Sequence, residues 1–197
     1  MPVDDKELYK RFLNGDSKSL DELIERHRKD LIYFIQKYVG DYFLAEDLSQ
    51  EVFVYLLQHK HVYKLEYTFK TYLFTIAKSR AINYLKRNKK IDFIEDNMER
   101  ILSDMRYVEE EVFKNEDTDM VRRAIRKLKK EYQVAIYLVD LNGLSYKELA
   151  VVLNKSMVQV KALVHHSRKR LKAILEEEKS KEVEHNEVNR GVHKWSL

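Results

Sequence analysis

Residues that interrupt a helix are almost absent from this chain, and this scarcity limits the fold more than any other feature. The single proline stands at position 2, and the four glycines stand at positions 15, 40, 143 and 191. Sheets with many turns draw heavily on glycine and proline. So few turn-forming residues in 197 residues predict a nearly all-α fold.

Charge is strongly segregated along the chain, although the overall net charge is only +4. Residues 1–90 sum to +4, residues 91–119 to −8, residues 120–175 to +10 and residues 176–197 to −2. The changes of sign predict an N-terminal helical domain (1–90), an acidic linker (91–119), a basic C-terminal domain (120–175) and a polar, mobile tail (176–197). The length suits two small domains that each bury a core.

The sequence also indicates the cellular compartment of the protein. It contains no cysteine, which excludes disulfides, cysteine-based zinc sites and thiol nucleophiles. The start, MPVDDKELYK, is acidic and has no apolar core, and the longest strongly apolar run, VFVYLL at 52–57, is too short to span a bilayer. We therefore expect a soluble, cytoplasmic protein that is not exported.

The stretch LSYKELAVVLNKSMVQVKALVHHSRKRL, residues 144–171, carries two helix-start signals. Ser145 with Glu148, and Ser156 with Gln159, have the spacing of capping boxes. Asn154 lies between them and tolerates the left-handed conformation that ends a helix. The pattern predicts two helices joined by a tight turn.

Apolar spacing gives each of these two helices one buried face. The expected buried residues are Leu149, Ala150, Leu153, Val160, Leu163 and Val164. The outward face of the second helix would carry Met157, Lys161, Ala162, His165, Arg168 and Lys169. Residues 120–175 contain thirteen Lys or Arg and only three acidic residues, which is the charge expected of a phosphate-facing domain. A DNA-binding helix-turn-helix is predicted, and a helical hairpin with a solvated basic face is the alternative.

Two further helices are predicted in the N-terminal domain. In the first, Ser19 with Glu22 has the capping-box spacing, and Gly40 ends the helix. In the second, DYFLAEDLSQEVFVYLLQHK, one line of leucine and valine leaves four residues on the outer side: Glu46, Asp47, Gln50 and Glu51. A carboxylate metal site at this acidic patch would lack the histidine partners of helical-bundle di-metal centres, so we expect no metal and no cofactor.

Residues 63–90 interleave aromatic rings with Lys and Arg, and Glu66 is their only acid. Aromatic rings offer stacking platforms for unpaired bases while cations follow the backbone of a single strand. Some of the six rings lie at helical spacing with aliphatic residues, so about half of them are expected in the core. The six are Tyr63, Tyr67, Phe69, Tyr72, Phe74 and Tyr84.

Taken together, these segments resemble the small, extracytoplasmic-function (ECF) sigma factors of bacterial RNA polymerase, which keep regions two and four of the larger family. The resemblance covers residues 15–90 and 120–172. Three stretches carry it in the family's order: LDELIERHRKDLIYFIQKYVGDYFLAEDLSQEVFVYLL, TFKTYLFTIAKSRAINYLKR, and LKKEYQVAIYLVDLNGLSYKELAVVLNKSMVQVKALVHHSRKRL.

The resemblance implies two helical domains and a promoter-specificity subunit that is not itself an enzyme. The partners it implies are core RNA polymerase (β′ clamp and β flap), promoter DNA and an anti-sigma factor. The acidic linker would run toward the polymerase active-site channel. The implied polymerase contacts are Asp47, Gln50 and Glu51. The implied minus-ten contacts are Lys64, Tyr67, Phe69, Lys70, Tyr72, Lys78, Ser79, Asn83 and Arg87. The implied minus-thirty-five contacts are Ser156, Met157, Gln159, Lys161, His165 and Arg168.

Four positions depart from the family's pattern where DNA contacts are expected. Tyr72 stands where the family often has Trp, Ser79 where it often has Asn, and Leu163 and His166 where it often has Arg. Leucine cannot make the bidentate guanine contact that arginine makes. The promoter sequence of other members therefore does not transfer to this chain.

Two other classes of protein compete with the sigma-factor interpretation. A helix-turn-helix regulator that acts without being a polymerase subunit would use the same C-terminal domain, with the N-terminal half as a sensor or dimerisation domain. A helical-bundle metalloenzyme would need convergent histidine and carboxylate ligands, which the sequence does not supply at the required spacing.

Overall fold

The structure is a computed structural model that describes the backbone of residues 3–63, 66–88 and 116–192, and the side chains of these residues except 116–119 and 181–192. The described ranges contain eight α-helices, one π-helical turn and no strand, which confirms the all-α prediction. No helix in these ranges is long and apolar enough to cross a membrane. Lys64 and most of the acidic linker lie outside the described residues.

The helices fall into an N-terminal and a C-terminal group. The first group is α1 (Asp5–Leu13), α2 (Ser17–Val39), α3 (Tyr42–Gln58) and α4 (Phe69–Arg87). The second group is α5 (Glu116–Arg126), α6 (Lys130–Ile136), the π-helical turn Tyr137–Leu141, α7 (Tyr146–Leu153) and α8 (Met157–Val192).

Helix α2 is the centre of the N-terminal bundle and contacts α1, α3 and α4. Its fully buried Phe34 packs edge-on against Phe74 of α4, with ring centroids 4.9 Å apart. At the other end of the bundle, the buried ring of Tyr9 lies 5.2 Å from Phe69 and 5.0 Å from Tyr63. Such aromatic contacts add specific geometry to a large apolar area.

The start of α2 differs from the prediction. The helix begins at Ser17 because Asp16 is its N-cap: the carboxylate accepts hydrogen bonds from the Lys18 N–H (3.1 Å) and from the Ser19 hydroxyl (2.7 Å). The capping box predicted at Ser19 and Glu22 is therefore wrong, since Ser19 already lies inside the helix. The predicted end is confirmed, because Gly40 adopts a left-handed conformation with φ +77°.

Both capping boxes of the helix-turn-helix are present as predicted. Glu148 Oε2 accepts the Ser145 N–H at 2.9 Å, and the Ser145 hydroxyl oxygen accepts the Glu148 N–H at 3.3 Å. Gln159 Oε1 accepts the Ser156 N–H at 2.8 Å, and the Ser156 hydroxyl oxygen accepts the Gln159 N–H at 3.3 Å. Asn154 ends α7 in the left-handed region, with φ +54°.

The predicted core of the helix-turn-helix is confirmed except at one position. Ala150 is half-buried, and the other five residues are buried: Leu149, Leu153, Val160, Leu163 and Val164.

Helix α8 runs 36 residues without a break, from Met157 to Val192. The polar segment predicted to begin at residue 176 therefore starts inside a helix. The physical reason is that no glycine or proline occurs within α8 before Gly191. An ion pair of 2.5 Å between Lys127 and Glu178 joins this part of α8 to the residue that follows α5.

The two groups of helices share one core. Helix α4 contacts α7, and α2 contacts α6, so a single cluster of buried apolar side chains runs from Leu8 in α1 to Val164 in α8. A second, smaller cluster lies between α5, α6 and α8.

The conformation of Asn154 generates a test of the turn between α7 and α8. A residue other than glycine or asparagine in the left-handed region costs about 1–2 kcal/mol. We expect Asn154→Ala to lower the free energy of unfolding by about 1 kcal/mol and Asn154→Gly to leave it nearly unchanged. Urea denaturation followed by circular dichroism measures both, and equal effects of the two substitutions would contradict this role.

Candidate functional site

The outer face of α3 carries the predicted acidic patch. Asp47, Gln50 and Glu51 are all exposed. The structure adds three exposed apolar side chains at helical spacing on the same face: Phe43 (76% exposed), Val54 (49%) and Leu57 (51%). These three residues were not predicted from the sequence, although they lie at helical spacing with Asp47 and Gln50. We call the six residues the α3 stripe.

Two ion pairs flank the α3 stripe. Arg80 of α4 lies 3.5 Å from Glu51 Oε2, and its guanidinium lies over the ring of Tyr55. Arg28 of α2 pairs with Glu46. The prediction that Glu46 lies on the outer side is therefore wrong, because this half-buried residue is directed toward α2 and away from the stripe.

Helix α4 presents one polar line to solvent. Ser79, Asn83 and Arg87 are exposed and follow one another at intervals of four residues, so they share one face of the helix. Tyr72 lies on the same side but is half-buried, and its ring stacks on Tyr63 with centroids 4.9 Å apart. Of these four predicted DNA contacts, three are free at the surface of this structure.

The six aromatic rings of residues 63–84 divide as predicted. Three rings are buried, which confirms that half of them belong to the core: Tyr63, Phe69 and Phe74. Tyr67, which is 41% exposed, is held in the loop before α4, where the Tyr63 hydroxyl donates a hydrogen bond to its carbonyl oxygen at 2.7 Å.

The stacking role predicted for Phe69 does not fit its position. The ring is 1% exposed and packs against Tyr9, His27 and Tyr63, so neither face is open to a base. Aromatic and aliphatic spacing alone did not distinguish Phe69 from Tyr67, because burial here comes from α1 and α2.

The predicted cations Lys70 and Lys78 are directed at the helix-turn-helix domain. Lys70 Nζ donates to Asn142 Oδ1 at 3.1 Å and lies 3.6 Å from Asp30 Oδ2. Lys78 Nζ donates to the carbonyl oxygen of Leu153 at 2.6 Å. Burial, followed by the charge of Lys155, lowers the pKa of Lys78. In this arrangement the Lys78 ammonium lies against the end of α7, and the Lys70 ammonium lies between Asn142, before α7, and Asp30 of α2.

Glu148 connects the two domains. Its Oε1 accepts hydrogen bonds from the hydroxyls of Thr68 (2.6 Å) and Thr71 (2.9 Å) at the start of α4, while its Oε2 remains in the capping box with Ser145. Burial raises the pKa of this carboxyl, but the hydrogen bonds from Thr68, Ser145 and Thr71 together outweigh burial and lower the pKa to about 2. One carboxylate thus caps α7 and binds the N-terminus of α4.

A second set of contacts joins α2 to the C-terminal domain. The Tyr137 hydroxyl lies 3.0 Å from both the carbonyl oxygen and Oδ1 of Asp30, and Lys130 Nζ donates to the Tyr38 carbonyl oxygen at 2.9 Å. Burial lowers the pKa of Lys130 to about 8. Burial, with the charges of Arg126 and Lys130, lowers the pKa of Lys37 to about 7. Where α2 meets the C-terminal domain, the amines of Lys130 and Lys37 are therefore withdrawn from water.

The outer face of the second helix of the helix-turn-helix remains accessible. Ser156, Met157, Gln159, Lys161 and His165 are all exposed. Arg168 is exposed as well, but its guanidinium pairs with Asp140 at 2.5 Å and donates to the Tyr146 hydroxyl at 3.3 Å. These contacts with the π-helical turn and with α7 thus restrict how the Arg168 guanidinium can be oriented toward DNA.

A basic helix-turn-helix joined to a helical bundle with an exposed acidic and apolar helix face defines a two-domain, DNA-binding transcription protein. Comparison with known families identifies the member of this class. The Sigma-70 region 2 family matches residues 23–91, and the Sigma-70 region 4 family matches residues 118–171.

Relatives and solved structures agree with both matches. The ECF RNA polymerase sigma factor SigM of Bacillus subtilis is 30% identical over 156 residues, which cover 79% of this chain and 94% of SigM. The ECF sigma-E factor of Escherichia coli K12 is 28% identical over 175 residues, 83% of this chain and 90% of that protein. The sigma factor RpoE of Bartonella quintana, solved with the anti-sigma factor NepR, has the same fold with a TM-score of 0.58 at 21% identity, covering 81% of this chain and 98% of that one.

The chain belongs to the ECF family of RNA polymerase sigma factors. This membership supports the sigma-factor interpretation over a helix-turn-helix regulator that acts apart from polymerase.

The contacts of Glu148 predict how firmly the domains are joined. We expect the double variant Thr68→Val/Thr71→Val to weaken the contact by about 1 kcal/mol, because a hydrogen bond to a carboxylate contributes about 1.5–3 kcal/mol when buried and less when partly exposed. The ratio of joined to separated domains would then fall about fivefold. Spin labels attached to two introduced cysteines, Lys60→Cys and Lys172→Cys, give the distance distribution that measures this ratio, since the chain has no other cysteine.

Thr75→Val is the matched control for this experiment. The Thr75 hydroxyl donates to the Thr71 carbonyl oxygen within α4, so its loss leaves Glu148 untouched. An unchanged distance distribution in the double variant would show that Thr68 and Thr71 do not hold the domains together.

Proposed function

We propose that this sigma factor recruits core RNA polymerase through the α3 stripe, binds a two-part promoter with its two domains, and assists DNA melting. Phosphoryl chemistry belongs to the polymerase. The observation that carries the proposal is the α3 stripe, because it places a large exposed aromatic ring among acidic and polar side chains on a surface that the fold does not use.

The composition of the α3 stripe suits a protein partner. Phe43 and Leu57 supply apolar anchors of the kind that contribute most to binding, while Asp47 and Glu51 supply charges that orient the partner. By resemblance to the family, the partner is the clamp of the β′ subunit. An apolar groove between α5, the π-helical turn and α8 provides a second contact, for the β flap, and is lined by Val121, Ile125, Ile136, Leu141, Leu171 and Leu175.

The minus-ten half of the promoter is assigned to the N-terminal domain, residues 1–90. Ser79, Asn83 and Arg87 form an exposed polar line along α4, and Tyr67 holds an exposed ring at the loop before it. A ring in this position can stack on an unpaired base, and the line of α4 can follow the separated strand.

The minus-thirty-five half is assigned to the helix-turn-helix of residues 120–175. The cap formed by Ser156 and Gln159 places the N-terminal amides of α8 where they can meet a phosphate. Lys161 lies one turn further, within reach of a guanine edge or the backbone. Arg168 contacts a phosphate once its pairing with Asp140 is released.

Binding to a two-part promoter requires the domains to separate. Asn142 and the Leu153 carbonyl hold the ammonium groups of Lys70 and Lys78, so both reach DNA only after the helix-turn-helix domain leaves α4. Promoter binding therefore competes with the contacts of Glu148. We assign the acidic linker a path toward the polymerase active-site channel and the protein a cytoplasmic location. By analogy with the Bartonella quintana protein, which was solved with NepR, an anti-sigma factor of the same class would control this chain.

Reversing two charges in the α3 stripe tests polymerase docking. We expect Asp47→Lys/Glu51→Lys to weaken binding to core polymerase about tenfold while helicity is retained, because interface charges act on association more than on the fold. Fluorescence anisotropy of the labelled full chain titrated with core polymerase measures the affinity.

The matched control reverses two exposed acids on α2, Asp21→Lys/Glu25→Lys, which have the same spacing of four residues. This variant should bind polymerase as the wild type does. Equal affinity of both double variants and the wild type would overturn the assignment of the α3 stripe.

Substitution of Tyr67 tests promoter melting. Stacking of one base on an aromatic ring contributes about 1–3 kcal/mol, so Tyr67→Ala should reduce open complexes on duplex promoter about 5- to 150-fold. A promoter with a pre-melted bubble should restore most of this loss. Permanganate footprinting measures the melted fraction. Phe69→Ala should instead destabilise the fold by about 3–5 kcal/mol and gain nothing from the bubble.

A further inference from the structure

Val158 is an apolar side chain placed almost entirely in solvent. It is 78% exposed, more than any other large apolar side chain in the part of the chain that the structure describes. It is the second residue of α8 and lies between Ser156 and Gln159, the two residues that cap the start of this helix. The position is therefore fixed by the start of the helix and not by burial of the side chain.

Fold stability does not account for a valine at this site. A β-branched residue forms helix less readily than alanine, and an exposed side chain removes little apolar surface from water. Alanine at position 158 would serve the helix at least as well. The side chain is thus available for a contact outside the protein.

The orientation of Val158 is set by the buried side of the same helix. Val160, Leu163 and Val164 are buried against the domain core, which fixes the rotation of α8. Lys161 and Ala162, one turn after Val158, are also exposed and lie on the same side as Val158. Val158 and Ala162 form a short apolar strip beside the ammonium of Lys161.

We propose that Val158 is a specificity-determining residue that contacts the C5-methyl group of a thymine in the upstream half of the promoter. The inference rests on the proposed function, which places this face of α8 in the major groove. Thymine is the only one of the four bases that presents a methyl group there, and apolar side chains are its natural partners. The side chain of valine has one preferred rotamer in a helix, so its methyl groups hold a fixed position.

A deoxyuridine scan of the promoter tests this contact, because uracil pairs like thymine and lacks only the methyl group. Duplexes are first enriched from a random pool by the full chain in complex with core polymerase. Each thymine of the enriched upstream half is then replaced by deoxyuridine, one at a time. We expect at least one replacement to weaken wild-type binding about fourfold, the effect of burying one methyl-sized group.

The variant Val158→Ala should lose this dependence on the methyl group at the same position and bind the thymine and uracil duplexes equally. Val158→Thr keeps one methyl group and should retain part of the dependence. Val62→Ala removes another exposed valine, 53% exposed and outside the helix-turn-helix, and should behave as the wild type. Circular dichroism confirms that each variant is folded.

The outcomes separate the inference from the proposed function. If an upstream element is enriched but no replacement by uracil affects the wild type more than Val158→Ala, the assignment of Val158 is overturned and the proposed function stands. If the complex enriches no upstream element at all, the proposed function fails and the inference fails with it.

Discussion

Helix α4 is covered on two sides, by α2 and α3 within its own domain and by α7 of the helix-turn-helix. Its buried residues Phe74 and Ala77 belong to the same continuous cluster as Leu149 of α7. Because burial of apolar surface is the main force that favours folding, a helix shared in this way ties the position of each domain to the other. The polar contacts of Glu148 with Thr68 and Thr71 then fix the register of α7 along α4.

This shared helix divides the promoter-facing residues into two groups. Ser79, Asn83 and Arg87 lie on the free side of α4, whereas Lys70 and Lys78 hold their charges against Asn142 and the Leu153 carbonyl. The recognition face of α8 stays exposed in the same arrangement. The proposed upstream contacts other than Arg168 are therefore available in the compact arrangement, whereas Lys70 and Lys78 of the proposed downstream contacts are not.

The helix-turn-helix owes its rigidity to short-range polar contacts. Ser145 with Glu148 starts α7, the left-handed Asn154 ends it, and Ser156 with Gln159 starts α8, all within a span of fifteen residues from Ser145 to Gln159. These contacts set where α8 begins, and burial of Val160, Leu163 and Val164 against the domain core orients Val158 and Lys161. A rigid frame of this kind lets exposed side chains distinguish bases, because little flexibility is lost on binding.

The sequence by itself determined the features that depend on neighbouring residues. Helical content follows from the scarcity of glycine and proline, the turn at Asn154 from local capping, and the basic and acidic segments from composition. Only the tertiary structure decided features that need distant partners. It buried Phe69 and left Tyr67 exposed, because Tyr9 and His27 approach the one ring and not the other. It turned Lys78 toward α7 and added Phe43 to the acidic face of α3, since helical periodicity states which residues share a face but not what covers that face.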